Sequence, residues 1–189
     1  MIGKTSSGRS VTHSALVYVI GIALFVMSSS AVQAEEKVFG WVEKATLKPW
    51  GIEVKAKLDS GALTSSLDAR DIELFEEDGE EWVRFRLKLE NHASGETFSD
   101  TLERPLYREL AVRGAGGRDE RPVVLLKVCM GNTIYEEQFS LRDREEMNYP
   151  LLLGRRTLSH LGLLDVRRTF MQTPDCEDDA PLVAHESKD

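Results

Sequence analysis

Asp59 is the residue of this chain whose type and setting could do chemistry. An apolar approach from Val54 to Leu58 delivers its carboxylate into a turn whose Ser60 and Gly61 are both small. Gly61 can accept backbone angles closed to other residues, and its missing side chain lets another backbone or a ligand come close to the carboxylate. A carboxylate held in this way can act as a base toward water. Hydrolysis of a peptide bond by carboxylates needs two of them sharing one proton, one as base toward the water and one as acid toward the carbonyl oxygen. The Asp-Ser-Gly triplet occurs once, so one chain holds half of such a site, and a twofold dimer would bring the same residue from each subunit to the axis. The same residues also suit a plain strand end, which Asp, Ser and Gly commonly make.

Other constellations rank lower. His13, His92, His160 and His185 fall in an N-terminal apolar region, a polar loop, a short helix and the tail, and no His-Glu-x-x-His pair occurs, so a protein-built zinc site is not expected. No phosphate-binding Gly-x-x-x-x-Gly-Lys-Ser/Thr loop is present, so ATP dependence has no basis in the sequence. Ser65 and Ser66 lack a His and acid arrangement and read as local hydrogen-bond formers. Lys55 and Lys57 alternate with Val54, Ala56 and Leu58 as the solvated face of a strand, and Asp165, an acid within an apolar run, reads as a structural hydrogen-bond acceptor.

The elements that must position Asp59 are short strands. Val38 to Val42 with Ala45 to Leu47, Ile52 to Leu58, Leu67 to Leu74, Val123 to Met130 and Thr133 to Leu141 carry strand patterns, and Trp82 to Leu89 alternates apolar and charged residues for eight positions, as a half-buried strand does. Pro49-Trp50-Gly51, Glu76 to Glu80 and Gly131-Asn132 are turns. Asn91 to Asp100 reads as a loop, and Leu102 to Val112 as a mixed segment with a strand near its end. Gly114-Ala115-Gly116-Gly117 reads as a hinge or hairpin tip, or equally a plain surface loop. Arg142 to Asn148 suits one helical turn, Thr157 to Leu161 a short helix capped by Gly162, and Leu163 to Val166 with Phe170-Met171 a closing strand. Many short strands with frequent turns favour an all-β barrel or sandwich.

The chain has 189 residues, enough for one ordinary core. Lys4 and Arg9 precede an uncharged apolar stretch from Ala15 to Met27 and small residues up to Ala34, the pattern of a secretory signal peptide over residues 1–34. After its cleavage no stable membrane span is expected, and the exported chain would be periplasmic. The remainder carries 22 basic and 32 acidic side chains, a net charge of −10, which argues against nucleic acid and anionic lipid as partners. Cys129 lies in an apolar strand and Cys176 in an acidic tail, residues 173–189, that reads as disordered. Export would place both thiols in an oxidising compartment, but their pairing is not fixed by sequence.

The combination of Leu58-Asp59-Ser60-Gly61-Ala62, Arg113-Gly114-Ala115-Gly116-Gly117 and Leu151-Leu152-Leu153-Gly154-Arg155, in that order and followed by a short apolar helix, resembles the retropepsin-like aspartic peptidases from roughly Gly40 to Phe170. It is most similar to a bacterial group labelled ATP-dependent zinc proteases, which share the Lys-Ala-Lys-φ-Asp-Thr/Ser-Gly-Ala-x-Thr-Ser-Ser-Leu start and the Tyr-Pro-φ-Leu-Leu-Gly-Arg block. Members of that group commonly carry His where this chain has Asp68, and that difference weakens the zinc label. The resemblance implies a single-lobe acid-protease barrel over residues 35–172, with a short helix near its end, acting on peptide or protein substrate as a homodimer without cofactor. It implies that Asp59 is catalytic, that Ser60 braces the paired loops and Gly61 lets them approach, and that Ala62 and Thr64 edge the site. Leu153 and Gly154 would pack behind the Asp loop, and Gly114, Ala115, Gly116 and Gly117 would form a flap. A peptide-binding barrel that has lost turnover is the alternative, and a zinc peptidase the third.

Overall fold

A computed structural model of the protein describes Gly3, 36–114 and 117–185. The expected signal peptide, Gly3 apart, lies outside the described residues, as do Ala115 and Gly116 of the glycine-rich tip. Among the described residues no helix is long and apolar enough to cross a bilayer.

The first two strands, β1 (Val38–Lys48) and β2 (Ile52–Leu58), form the hairpin that delivers Asp59. They pair antiparallel from Leu47↔Ile52 to Val42↔Lys57 around Pro49-Trp50-Gly51. Next come β3 (Ser65–Asp68), β4 (Arg70–Glu77), β5 (Glu80–Glu90), β6 (Thr97–Pro105), β7 (Arg108–Gly114), β8 (Gly117–Met130) and β9 (Thr133–Arg142). After β9 the chain forms β10 (Leu151–Leu153), helix α1 (Arg155–Leu161), β11 (Leu163–Thr169) and β12 (Leu182–Val183). The main sheet runs β11-β1-β2-β10-β3-β9-β8-β7, with β12 beside β9, and pairing of β1 with β8 at Thr46↔Cys129 to Lys48↔Lys127 closes it into a ring. Closure pairs β1 and β8 on both sides and leaves β11 and β7 as the branches outside the ring. Among the described residues the fold is the all-β, retropepsin-like barrel, with one short helix near its end, that the resemblance implied.

The core is aliphatic and aromatic. Leu47, Ala56, Leu67, Val128, Phe139, Leu151 and Leu153 are completely buried, each large side chain contributing about 1.5–3 kcal/mol of transfer free energy. A separate three-stranded sheet, β4-β5-β6, drives Val83, Phe85 and Leu87 of β5 into the same core, while Arg84 and Arg86 on the opposite face pair with Glu103 and Asp71. The alternation along β5 is thus read out directly as one buried and one ion-paired face.

Four local expectations are corrected. The loop expected over Asn91 to Asp100 ends at Glu96, because Thr97 to Asp100 pair with Glu90 to Leu87 of β5; the backbone ladder satisfies an exposed edge strand whose polar side chains face water. Arg142 to Asn148 form no helix, since the Asp68 carboxylate captures the Arg144 N–H at 2.7 Å and holds the segment as a turn. The continuous strand expected from Leu67 to Leu74 breaks at Ala69, with Asp71 at φ +50°. The tail is not disordered from 173 to 185. Cys176 is bonded to Cys129, Pro181 O accepts the Ile134 N–H, and Leu182 and Val183 pair with Ile134 and Tyr135, so a covalent tie and a ladder hold a segment of low apolar content.

Glu43 on β1 is fully buried and was not singled out by sequence. Its carboxylate accepts the N–H groups of Gly40, Met171 (2.9 Å) and Gln172 (3.0 Å), and so fastens the chain after β11 to the first strand. Three backbone donors are what a buried carboxylate requires.

Candidate active site

Asp59 ends β2 at the point where three segments meet. Its N–H donates to Leu153 O at 2.8 Å, continuing the parallel pairing of β10 with β2 (Leu153↔Leu58), and β10 pairs on its other side with β3 (Leu151↔Leu67). The loop after Asp59 is seated on the start of α1, where the Arg155 and Arg156 N–H groups donate to Ala62 O (2.9 Å) and Leu63 O (3.2 Å), and Arg155 Nη1 donates to Ser60 O (2.9 Å). Gly154 makes this seat. A Cβ there would lie 2.8 Å from Thr64 C and 2.9 Å from Leu63 O, both backbone atoms, so only glycine lets the two segments touch. Leu153 and Gly154 therefore stand behind the Asp loop.

Of the two reasons that the sequence offered for Gly61, the backbone one is corrected and the spatial one remains. Gly61 does not adopt a left-handed conformation; its role is spatial, since a Cβ would lie 3.1 Å from Asp59 Oδ1, the atom that accepts the Gly61 N–H at 2.9 Å. Asp59 Oδ2 lies 3.1 Å from Lys57 Nζ. Partial burial of the Asp59 carboxyl pushes its pKa up, but the Lys57 ammonium and the Gly61 and Ala62 N–H groups outweigh this and hold it below the ordinary carboxylate value. Ser60 is exposed, and its hydroxyl makes no hydrogen bond among the described residues.

A cleft of about 980 Å³ opens beside the loop, lined on one side by Gly61, Ala62 and Thr64 and on the other by Leu110 and Val112 of β7. The β7–β8 hairpin pairs up to Gly114↔Gly117, and Gly117 takes φ +105°, a conformation that L side chains rarely adopt. Gly114 and Gly117 thus stand at the end of the two-stranded arm that walls the cleft. Exposed Trp41, Leu63 and Met147 add apolar surface at or near its rim.

The cleft is cationic although the chain is acidic. Lys57, Arg121, Arg142 and Arg144 line it against Glu146, and Asp59, not itself in the lining, is bonded to two residues that are, Lys57 and Gly61. Burial, followed by the like charge of Arg142, pushes the Arg144 guanidinium down, while Asp68 and Asp59 pull it the other way. None of these basic residues was assigned to the site by sequence. Lys57 was legible, because residues two apart on a strand point to the same side and Asp59 follows at that spacing. The three arginines come from β8, from the end of β9 and from the turn after it, and no local pattern announces their convergence.

A zinc ion does not fit the residues present. Among the described residues no three His, Cys, Asp or Glu side chains converge, and Asp68 is committed to the Arg144 N–H and to Arg70 Nη2 at 3.4 Å. Asp165, the other acid weighed, accepts from Arg167 N–H (2.9 Å) and the Arg167 and Arg168 guanidinium groups, as a structural acceptor would.

The model of the RimB-like family, described as retropepsin-like aspartic endopeptidase RimB, matches residues 38–175. The chain belongs to the RimB-like family. Within that match lie Asp59, the hairpin arm and the Leu-Leu-Leu-Gly-Arg block. A crystal structure of a protein of unknown function from Legionella pneumophila superposes with a TM-score of 0.61 at 31% identity, covering 72% of this chain and 98% of that one. Proteins named "Probable alpha-L-glutamate ligase" are similar as well. The one from Shewanella pealeana is 32% identical over 62% of this chain, and the one from Desulfotalea psychrophila 29% identical over 69%. The matched part is only 25% and 28% of those proteins, so the chain spans about a quarter of their length.

Proposed function

We propose that the protein is an exported aspartic endopeptidase in which two Asp59 carboxylates, one from each subunit of a homodimer, share a proton and hydrolyse acidic peptides. The observation that carries this reading is one acid per chain bonded to two residues of a cleft wall, Lys57 and Gly61, on a loop anchored from behind by Leu153, Gly154 and Arg155. The ionised Asp59 takes a proton from water as its oxygen attacks the carbonyl carbon, and the protonated partner gives its proton to the carbonyl oxygen. As the tetrahedral gem-diol collapses, the Asp59 that took the proton of water gives it to the amine nitrogen, the C–N bond breaks, and a gem-diol hydroxyl gives its proton to the other carboxylate, so the pair again holds one proton. Ser60, exposed and with an uncommitted hydroxyl, would bond across the twofold axis, and the Gly114 to Gly117 tip would close over substrate as a flap.

The preference for acidic peptides rests on the cationic lining and on the relatives named for joining glutamate, because Arg142 and Arg144 line the cleft and, among the described residues, pair with no carboxylate, whereas Lys57 and Arg121 are already paired with Asp59 and Asp119. Export is supported by the leader pattern of residues 1–34 and by the Cys129–Cys176 bond, which suits an oxidising compartment. A second reading, a domain that holds acidic peptide without cutting it, draws on the same segment being part of longer proteins named as ligases. Incubation with glutamate-containing peptides distinguishes them. Wild type should cleave, Asp59→Asn should bind without cleaving, and chelator should change neither. Binding without cleavage by wild type favours the second reading, and loss of cleavage to chelator with recovery on zinc would overturn the carboxylate mechanism.

A further inference from the structure

A second cavity, of about 300 Å³, lies between β7, β9 and α1, lined by Tyr107, Arg108, Gln138, Arg156, His160 and His185. Its polar groups form a set with an excess of positive charge. Arg108 Nη2 and Arg156 Nη1 both donate to one atom, Thr64 Oγ1, at 3.1 and 2.9 Å, and Arg108 Nε donates to Gln138 Oε1 at 2.8 Å. Among the described residues neither guanidinium has a carboxylate within ion-pair distance. The one acid in the lining, Glu137, is already committed, with Oε1 2.6 Å from His160 Nδ1 and Oε2 accepting from Thr157 Oγ1. His185 Nε2 contacts Gln138 Nε2 (3.2 Å) and Tyr107 Oη (3.0 Å), while its Nδ1 is buried without a partner. Two like charges drawn together on a neutral hydroxyl repel, and the half-buried one has lost hydration. Burial, then the charge of Arg156, pushes the Arg108 guanidinium down.

We propose that this cavity is an oxyanion site, in which Arg108 and Arg156 bind a phosphate or a carboxylate, with the imidazoles and the Tyr107 hydroxyl as further polar partners. Guanidinium groups favour such anions because their planar donors match two oxygens at once. The site is separate from the cationic cleft, yet Thr64 belongs to both: its hydroxyl holds the two arginines, and its residue lines the cleft five positions after Asp59. An anion that draws the arginines away from Thr64 would therefore loosen or shift one wall of the cleft.

The test uses the full chain carrying Asp59→Asn, so that no peptide is consumed, titrated separately with inorganic phosphate and with the dipeptide Glu-Glu, against sodium chloride at matched ionic strength. At least one probe should bind saturably and move the ring resonances of His160 and His185. Phosphate alone would assign the site to phosphate, and the dipeptide alone to carboxylates. Adding Arg156→Gln should weaken binding about tenfold or more, the loss of one charge-assisted contact. Should Arg156→Gln fail to fold, the ring shifts of the parent protein still decide. The proposal is overturned if neither probe saturates above the chloride control, if binding leaves both rings unmoved, or if folded Arg156→Gln binds as the parent does.

Discussion

Lys57 Nζ lies 3.1 Å from Asp59 Oδ2, while Asp59 Oδ1 accepts the Gly61 N–H at 2.9 Å, so both carboxylate oxygens of the central acid are engaged within one chain. Each contact favours the ionised form, and the carboxyl titrates below the 3.8 of an ordinary Asp. A depressed folded-state pKa contributes stability that is present above the unfolded value and is lost as pH falls through the folded one. Lys57→Met should therefore raise the Asp59 pKa and move the pH profile of kcat/KM to higher pH, because a pair that must hold one proton then keeps it longer. An unchanged profile in the variant would show that Lys57 does not tune the acid.

Gly154→Ala should destabilise the protein by about 3 kcal/mol, since the added methyl meets backbone on the Asp loop at 2.8–2.9 Å and no side chain is there to yield. Whatever fraction folds should cleave poorly, the loop having moved. Urea unfolding of variant and wild type checks the first part, and equal midpoints would contradict it.

The Cys129–Cys176 bond closes a loop of 47 residues, for which chain entropy gives a stabilisation of up to about 4 kcal/mol. Cys176→Ser should lower Tm and release the strand pairing of Leu182 and Val183. Reductant should bring wild type to the variant's Tm and leave the variant where it is. A wild-type Tm indifferent to reductant would mean that the tail holds by β12 pairing alone.

The strand framework and the Asp59 loop were legible because they are local: alternation along Trp82 to Leu89, the Gly131-Asn132 turn, and an apolar approach ending in Asp-Ser-Gly each obey a short-range rule. What escaped was decided across the chain. Glu43 looks like any exposed acid until Met171 and Gln172, more than 120 residues on, bring their N–H groups to it. Arg121, Arg142 and Arg144 were not singled out, because nothing in sequence says that β8, the end of β9 and the turn after it face one cleft. The helical turn expected after Arg142 lost to a single carboxylate from β3, and the tail read as disordered by composition is tied by a bond that composition does not count.

The shared-carboxylate dimer is tested most directly by mixing wild type and Asp59→Asn in varying proportion, allowing subunits to exchange, and following peptide cleavage. If each active unit needs two intact Asp59 residues, activity should follow the square of the wild-type fraction, so that an equal mixture retains about a quarter of the wild-type rate. Activity proportional to the wild-type fraction, with about half retained in the equal mixture, would mean that one chain carries a complete site, and the paired-Asp59 account would be wrong.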